Sequence, residues 1–193
     1  MLPLEQLAME LGPARPRWTF SRRLIHSPHL SRIRERLEFV RRFFPELEAL
    51  TIRVGLAEKR GILGWGSLDP ARPGIWVRPR RLDCFTVAHE FTHLLQAREL
   101  VPRGERACDL FALARSPLLI DHPPGYLRLP RALMRRRLEL PAAQRLFEAA
   151  RRAIEARDRG ERRYLLAFES EIRAMVEDEP ESFSEGALVA RIG

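Results

Sequence analysis

The chain has 193 residues, 45% hydrophobic and 31% charged, the balance of one globular domain or of a domain with a small appendage. No apolar run is long enough to span a membrane, and two cysteines, Cys84 and Cys108, are too few for a disulfide scaffold. The 34 basic residues outnumber the 26 acidic ones, a net charge of +8 that would suit a nucleic-acid partner, but all the basic residues except Lys59 are arginine, a bias of composition rather than a site. The start, Met1-Leu2-Pro3-Leu4-Glu5, has no basic stretch leading into an apolar run, so a cytoplasmic protein is expected.

Leu4, Leu7, Ala8 and Leu11 have helical spacing and predict a short helix over 1–12. Residues 13–27 carry prolines and basic residues and read as a connection. A helix over 30–44 follows, with Ile33, Leu37, Val40 and Phe44 on one face and Pro45 to end it. Three strands are then expected, at 50–56, 62–68 and 74–78, joined by turn-like segments as an antiparallel meander. Glycines around Trp65 in the second strand either admit another backbone or mark a bulge. Beyond Pro79 the pattern is helical: 82–98, 105–115, then a proline-rich loop over 116–130, and helices over 131–138, 142–157 and 161–176 before an acidic tail at 177–185. This order argues for an α+β fold, with a core over 1–120 and a helical extension with its tail over 121–193, packed on that core.

The chemistry is concentrated in Phe85-Thr86-Val87-Ala88-His89-Glu90-Phe91-Thr92-His93, a His-Glu-x-x-His motif inside a helical pattern. Residues four apart share a helix face, so His89 and His93 can direct two ring nitrogens at one zinc ion. Glu90, beside them, is placed to act as general base. A catalytic site needs a third protein ligand, and Glu105 is the candidate: it lies past a turn, at the start of the next helix. Asp109, one turn further on, suits a carboxylate that orients a ligating histidine.

Phe85-Thr86-Val87-Ala88-His89-Glu90-x-x-His93, followed by Glu105-x-x-Cys108-Asp109-x-Phe111-Ala112, resembles the ImmA/IrrE family of zincin metallopeptidases over about residues 50–117. This sequence has Cys84 where the family usually has arginine, Cys108 where alanine is usual and Thr92 where glycine is common. The resemblance implies a zincin-like core with a small antiparallel sheet, zinc held by His89, His93 and Glu105, Glu90 as general base, and a protein or peptide substrate, a helix-turn-helix repressor being one candidate. SprT-like zincins are a second, similar group. They usually recruit a histidine as third ligand, and the only one downstream here is His122, which reads as a ligand, a substrate contact or a loop residue.

His122, Tyr126 and Arg128 in the 116–130 loop are candidate substrate or oxyanion contacts. The 74–78 strand is the expected peptide-binding edge, with Trp76 either touching substrate or filling the core. Cys84 and Cys108 read as inert thiols by default, with zinc ligation and a disulfide as alternatives. The rival to a zinc-dependent peptidase is a non-catalytic binding protein that uses the arginines of 131–163 to hold nucleic acid or protein. Interleaved glutamates argue for solvated helix faces instead, so nucleic acid is the less favoured partner.

Overall fold

The computed structural model describes residues 17–57, 64–79, 82–134 and 138–178. The helix expected over 1–12, the arginines at 135–137 and the tail beyond 178 lie outside the described residues.

The chain enters through a strand, β1 (Trp18–Phe20), inside the segment read as a connection. A single helical turn, α1 (Arg22–Ile25), leads to α2 (Leu30–Arg41), which buries Ile33, Leu37 and Val40. Phe44 is buried just beyond, and Pro45 opens a 3-10 turn over Pro45–Leu47. Three strands follow, β2 (Ile52–Leu56), β3 (Gly64–Gly66) and β4 (Gly74–Val77).

The sheet order is β1-β2-β4-β3. β1, β2 and β4 are parallel, and only β3 runs against its neighbour, β4. The expected antiparallel sheet is therefore corrected to a mixed one, within an α+β architecture. Two causes account for the difference. β3 pairs on the outer side of β4 rather than between β2 and β4, which leaves those two side by side and parallel. β1 adds a further parallel strand, joined to β2 through the α1–α2 crossover.

α3 (Cys84–Ala97) carries the His-Glu-x-x-His motif through the middle of the molecule, with twelve of its fourteen residues buried. A helix buried on nearly every side is a core helix, so polar groups on it must be paired or serve a purpose. Its lower face packs Phe91 edge-on against Phe44, with ring centres 5.4 Å apart, and stacked with Trp18 at 6.0 Å. Asp83 caps its start by accepting a hydrogen bond from Thr86 N at 2.6 Å. Asp121, far along the chain, accepts from Cys84 N and Phe85 N, both at 3.0 Å, and pairs with Arg36 at 3.1 Å. Two carboxylates thus answer the orphan N–H groups and positive dipole end of this one helix.

α4 (Glu105–Leu113) lies against α3. α5 (Arg131–Met134), α6 (Leu140–Asp158) and α7 (Tyr164–Asp178) complete the helical part. Leu146, Ala149, Ala150, Phe168 and Ile172 from α6 and α7 join the same buried cluster as α3 and the sheet. No helix among the described residues is long and apolar enough to cross a membrane.

Candidate metal centre

α3 and α4 bring three acceptors to one point. Glu105 Oε2 lies 3.2 Å from His89 Nε2 and 3.3 Å from His93 Nε2. The two imidazoles meet edge to face, with centroids 4.7 Å apart. The i, i+4 spacing on α3 sets the histidine pair, and the turn before α4 sets the carboxylate. That turn depends on Gly104, whose φ of +105° is a conformation side-chain-bearing residues rarely adopt.

Asp109, one turn along α4, accepts from His89 Nδ1 at 2.7 Å. A carboxylate is an acceptor only, so Nδ1 carries a proton, and Nε2 is the ring nitrogen turned toward Glu105. The other Asp109 oxygen accepts from Tyr126 N at 2.6 Å, and the Tyr126 ring stacks on His89 with centroids 5.6 Å apart. His93 Nδ1 lies 2.8 Å from Gln96 Oε1. His89 and His93 are nearly enclosed, with side chains 11% and 13% exposed, whereas Glu105 is 47% exposed. The cluster therefore opens to solvent on the Glu105 side.

The two histidines are shifted in opposite directions. Burial opposes the His89 imidazolium, but side-chain hydrogen bonds with Asp109, Cys108 and Glu105 outweigh it and hold the ring well above the ordinary histidine range. Burial and then the neighbouring His89 push His93 down. The hydrogen bond to His89 pulls Glu105 below the usual carboxylate range. Burial pushes Glu90 up to about 7. Glu90 Oε2 is buried and has no hydrogen-bond partner among the described residues. A buried carboxylate without a partner is costly, and such a cost is retained where a site uses the group.

His89, His93 and Cys108 also form a group whose donor atoms all lie within 4.8 Å of one another, close enough to hold a metal ion. Glu105 and Cys108 meet this pair differently. Glu105 touches both ring nitrogens, whereas the Cys108 thiol donates to the His89 backbone carbonyl at 3.1 Å and burial pushes its pKa up to about 11. Cys84 is likewise a buried thiol pushed up to about 11 by burial, beside Asp121 and Arg36.

The glycine-rich strand approaches this helix closely. A Cβ on Gly66 would meet His93 Cβ at 2.7 Å and the Glu90 carbonyl oxygen at 2.9 Å, with Glu90 Oε2 only 3.3 Å away. Of the two sequence readings for these glycines, close approach is the one that holds at Gly66. Among the described residues β3 is also the last strand of the sheet, so it, and not β4, is the edge beside the motif helix. Trp76 lies elsewhere. Ile75 and Val77 are buried and Gly66 pairs with Ile75 on the α3 side, which puts Trp76 on the opposite face, its ring over Gly55 and Gly74.

The remaining loop candidates are separated by their contacts. His122 is exposed and its Nδ1 lies against the Pro123 carbonyl at 2.9 Å, a local loop interaction. Arg128 donates its backbone N–H to Glu169 at 2.9 Å. In the arginine-rich extension, Arg151, Arg152 and Arg157 pair with Glu155, Glu171 and Asp158. Sequence reasoning missed Gln96, Asp121 and the particular role of Gly66. Only Gln96 carried a local signal, being three residues from His93 on the same helix.

No protein-family model matches the chain, and neither does any curated protein or solved structure.

Proposed function

We propose that the protein is a zinc-dependent peptidase with a zincin-like core, of the kind its motifs resemble, acting on an extended segment of a protein substrate. The observation that carries the reading is Glu105 Oε2 standing 3.2 Å from His89 Nε2 and 3.3 Å from His93 Nε2. Donors bound to zinc at about 2.0–2.1 Å in a tetrahedron stand about 3.3–3.4 Å from one another. One ring nitrogen from each histidine, with the His89 proton displaced by the ion, and one carboxylate match the donor set of catalytic zinc and leave one position open. Zinc, when bound there, supplies a Lewis acid that polarises a peptide carbonyl and makes water a stronger nucleophile near neutral pH.

The chain's own residues do the rest. Asp109 holds the His89 ring with its Nε2 turned inward. Glu90 takes a proton from the attacking water as oxygen bonds to the carbonyl carbon, then passes it to the amide nitrogen as the C–N bond breaks. Its burial-raised pKa, near 7, suits a group that must both accept and release a proton. The edge of β3, unpaired among the described residues, passes within contact of Glu90, so a peptide paired to that edge by backbone hydrogen bonds has its carbonyls led toward the cluster. A helix-turn-helix repressor is the substrate that the motif resemblance suggests.

The test has two parts. Elemental analysis after zinc loading is expected to find one zinc per chain, lost in the double variant H89A/H93A. Turnover on a cleavable protein partner is expected to fall on the order of 10²-fold or more in E90Q with zinc content unchanged. No zinc in the wild type, or wild-type turnover in E90Q, would overturn the reading.

A further inference from the structure

We infer that Gln96 is a positioning residue that sets the tautomer of His93 and ties it to the turn from which Glu105 is launched. The inference rests on the metal reading above for its purpose, but not for its geometry.

Gln96 sits in the last turn of α3 and is buried, 2% exposed. Its amide nitrogen donates to two backbone carbonyls, Pro102 O at 2.7 Å and Gly104 O at 3.0 Å. Those contacts fix the amide's orientation, because the flipped form would set its oxygen against both carbonyl oxygens. With the nitrogen committed, Gln96 Oε1 can only accept, and what lies 2.8 Å from it is His93 Nδ1. Gln96 therefore calls for a proton on Nδ1, which leaves Nε2, the nitrogen beside Glu105 Oε2, as the one that would take an ion. His89 reaches the same arrangement through Asp109, so the two histidines are aimed by different means: one by a carboxylate on α4, the other by an amide on their own helix.

The second half of the role follows from which carbonyls are held. Pro102 and Gly104 belong to the turn that reverses the chain between α3 and α4, and Glu105 is the residue immediately after. One side chain thus fixes both the face that His93 presents and the start of the helix that supplies the carboxylate. A glutamate at this position would keep an acceptor for His93 but could not donate to the turn. A leucine would keep neither function.

Two measurements on wild type, Q96E and Q96L test this. Long-range 1H–15N correlation on the metal-free protein at pH 8 reads the His93 tautomer directly. The Nδ1–H form is expected in wild type and Q96E and is lost in Q96L. Competition with a chromophoric zinc chelator is expected to show affinity 10–100-fold weaker in Q96L, the scale for groups that orient metal ligands. An Nε2–H tautomer in the wild type overturns the inference, as does a Q96L variant that keeps both the Nδ1–H form and wild-type affinity. If Q96L does not fold, the tautomers of wild type and Q96E still decide it. A wild type that binds no zinc defeats the proposed function, whereas the tautomer read without metal tests Gln96 separately.

Discussion

Asp109→Asn is the sharpest perturbation the site offers, because asparagine keeps the shape and removes one acceptor. The carboxylate is 1% exposed and serves two donors at once, His89 Nδ1–H at 2.7 Å and Tyr126 N–H at 2.6 Å, one on each oxygen. An asparagine has a single oxygen for two donors, so one of them must face the amide NH2. Leaving a buried donor unpaired costs about 1–3 kcal/mol, and the surviving bond loses its charge assistance as well. A central value of about 2 kcal/mol in a chain of this size lowers the melting temperature by roughly 4–8 °C. Zinc affinity should fall about 10–100-fold, because a neutral amide holds the His89 ring less firmly than a carboxylate. Calorimetry on the metal-free protein reads the first effect and chelator competition the second. Wild-type values in both would refute the claim that Asp109 orients His89 and anchors the loop that carries Tyr126.

Gly66→Ala should destabilise the protein by about 1–3 kcal/mol and slow hydrolysis, because the added Cβ would sit 2.9 Å from a backbone oxygen of α3, which cannot swing aside. A wild-type melt with full turnover would show that β3 is free to shift. In the metal-free protein, Glu90→Gln should raise stability above pH 7, because burial lifts the folded-state pKa of Glu90 to about 7 from an unfolded value near 4.3. A carboxyl raised in this way stabilises the fold relative to its ionised form below the unfolded pKa, and that contribution is lost as pH rises through the folded one. The gain from glutamine should therefore be a few kcal/mol above about pH 7 and fade as pH falls toward about 4. A pH-independent difference between the two melts would contradict the assignment.

What could be read from the sequence was what is local along the chain. The i, i+4 pair His89 and His93 is a property of one helix, and a turn of fixed length brings Glu105 and Asp109 back to it, so their meeting follows from short-range geometry. The strand order does not. β2 and β4 are each recognisable alone, but whether β3 lies between them or outside depends on where the helices press on the sheet, and Gly66 against His93 shows that contact. β1 is three residues long, follows Pro13 and Pro16, and gives no alternation to read. Gln96 looked like one more polar residue at a helix end. Its partners are the Pro102 and Gly104 carbonyls, which exist as a pair of acceptors only once the turn has formed. Asp121 carries no local signal in the sequence, because only the folded loop places it on the N-terminus of α3, 36 residues from Phe85.

The same distinction bears on the helical extension, which the sequence expects to pack on the core without indicating through which residues. Glu169 on α7 is 4% exposed, a position where an unpaired charge would be costly. Its Oε1 accepts from Arg106 Nη2 at 2.7 Å and from the Arg128 backbone N–H at 2.9 Å. Arg106 adjoins Glu105, and Arg128 lies two residues beyond Tyr126, whose ring stacks on His89 and whose N–H meets Asp109. One buried carboxylate on α7 therefore holds both the helix that supplies the third donor and the loop that covers the first. Since Phe168 and Ile172, on either side of it, are buried in the common core, the extension cannot leave without withdrawing that carboxylate. The proposed metal centre draws its residues from α3 and α4, and α7 holds both α4 and the loop that covers His89.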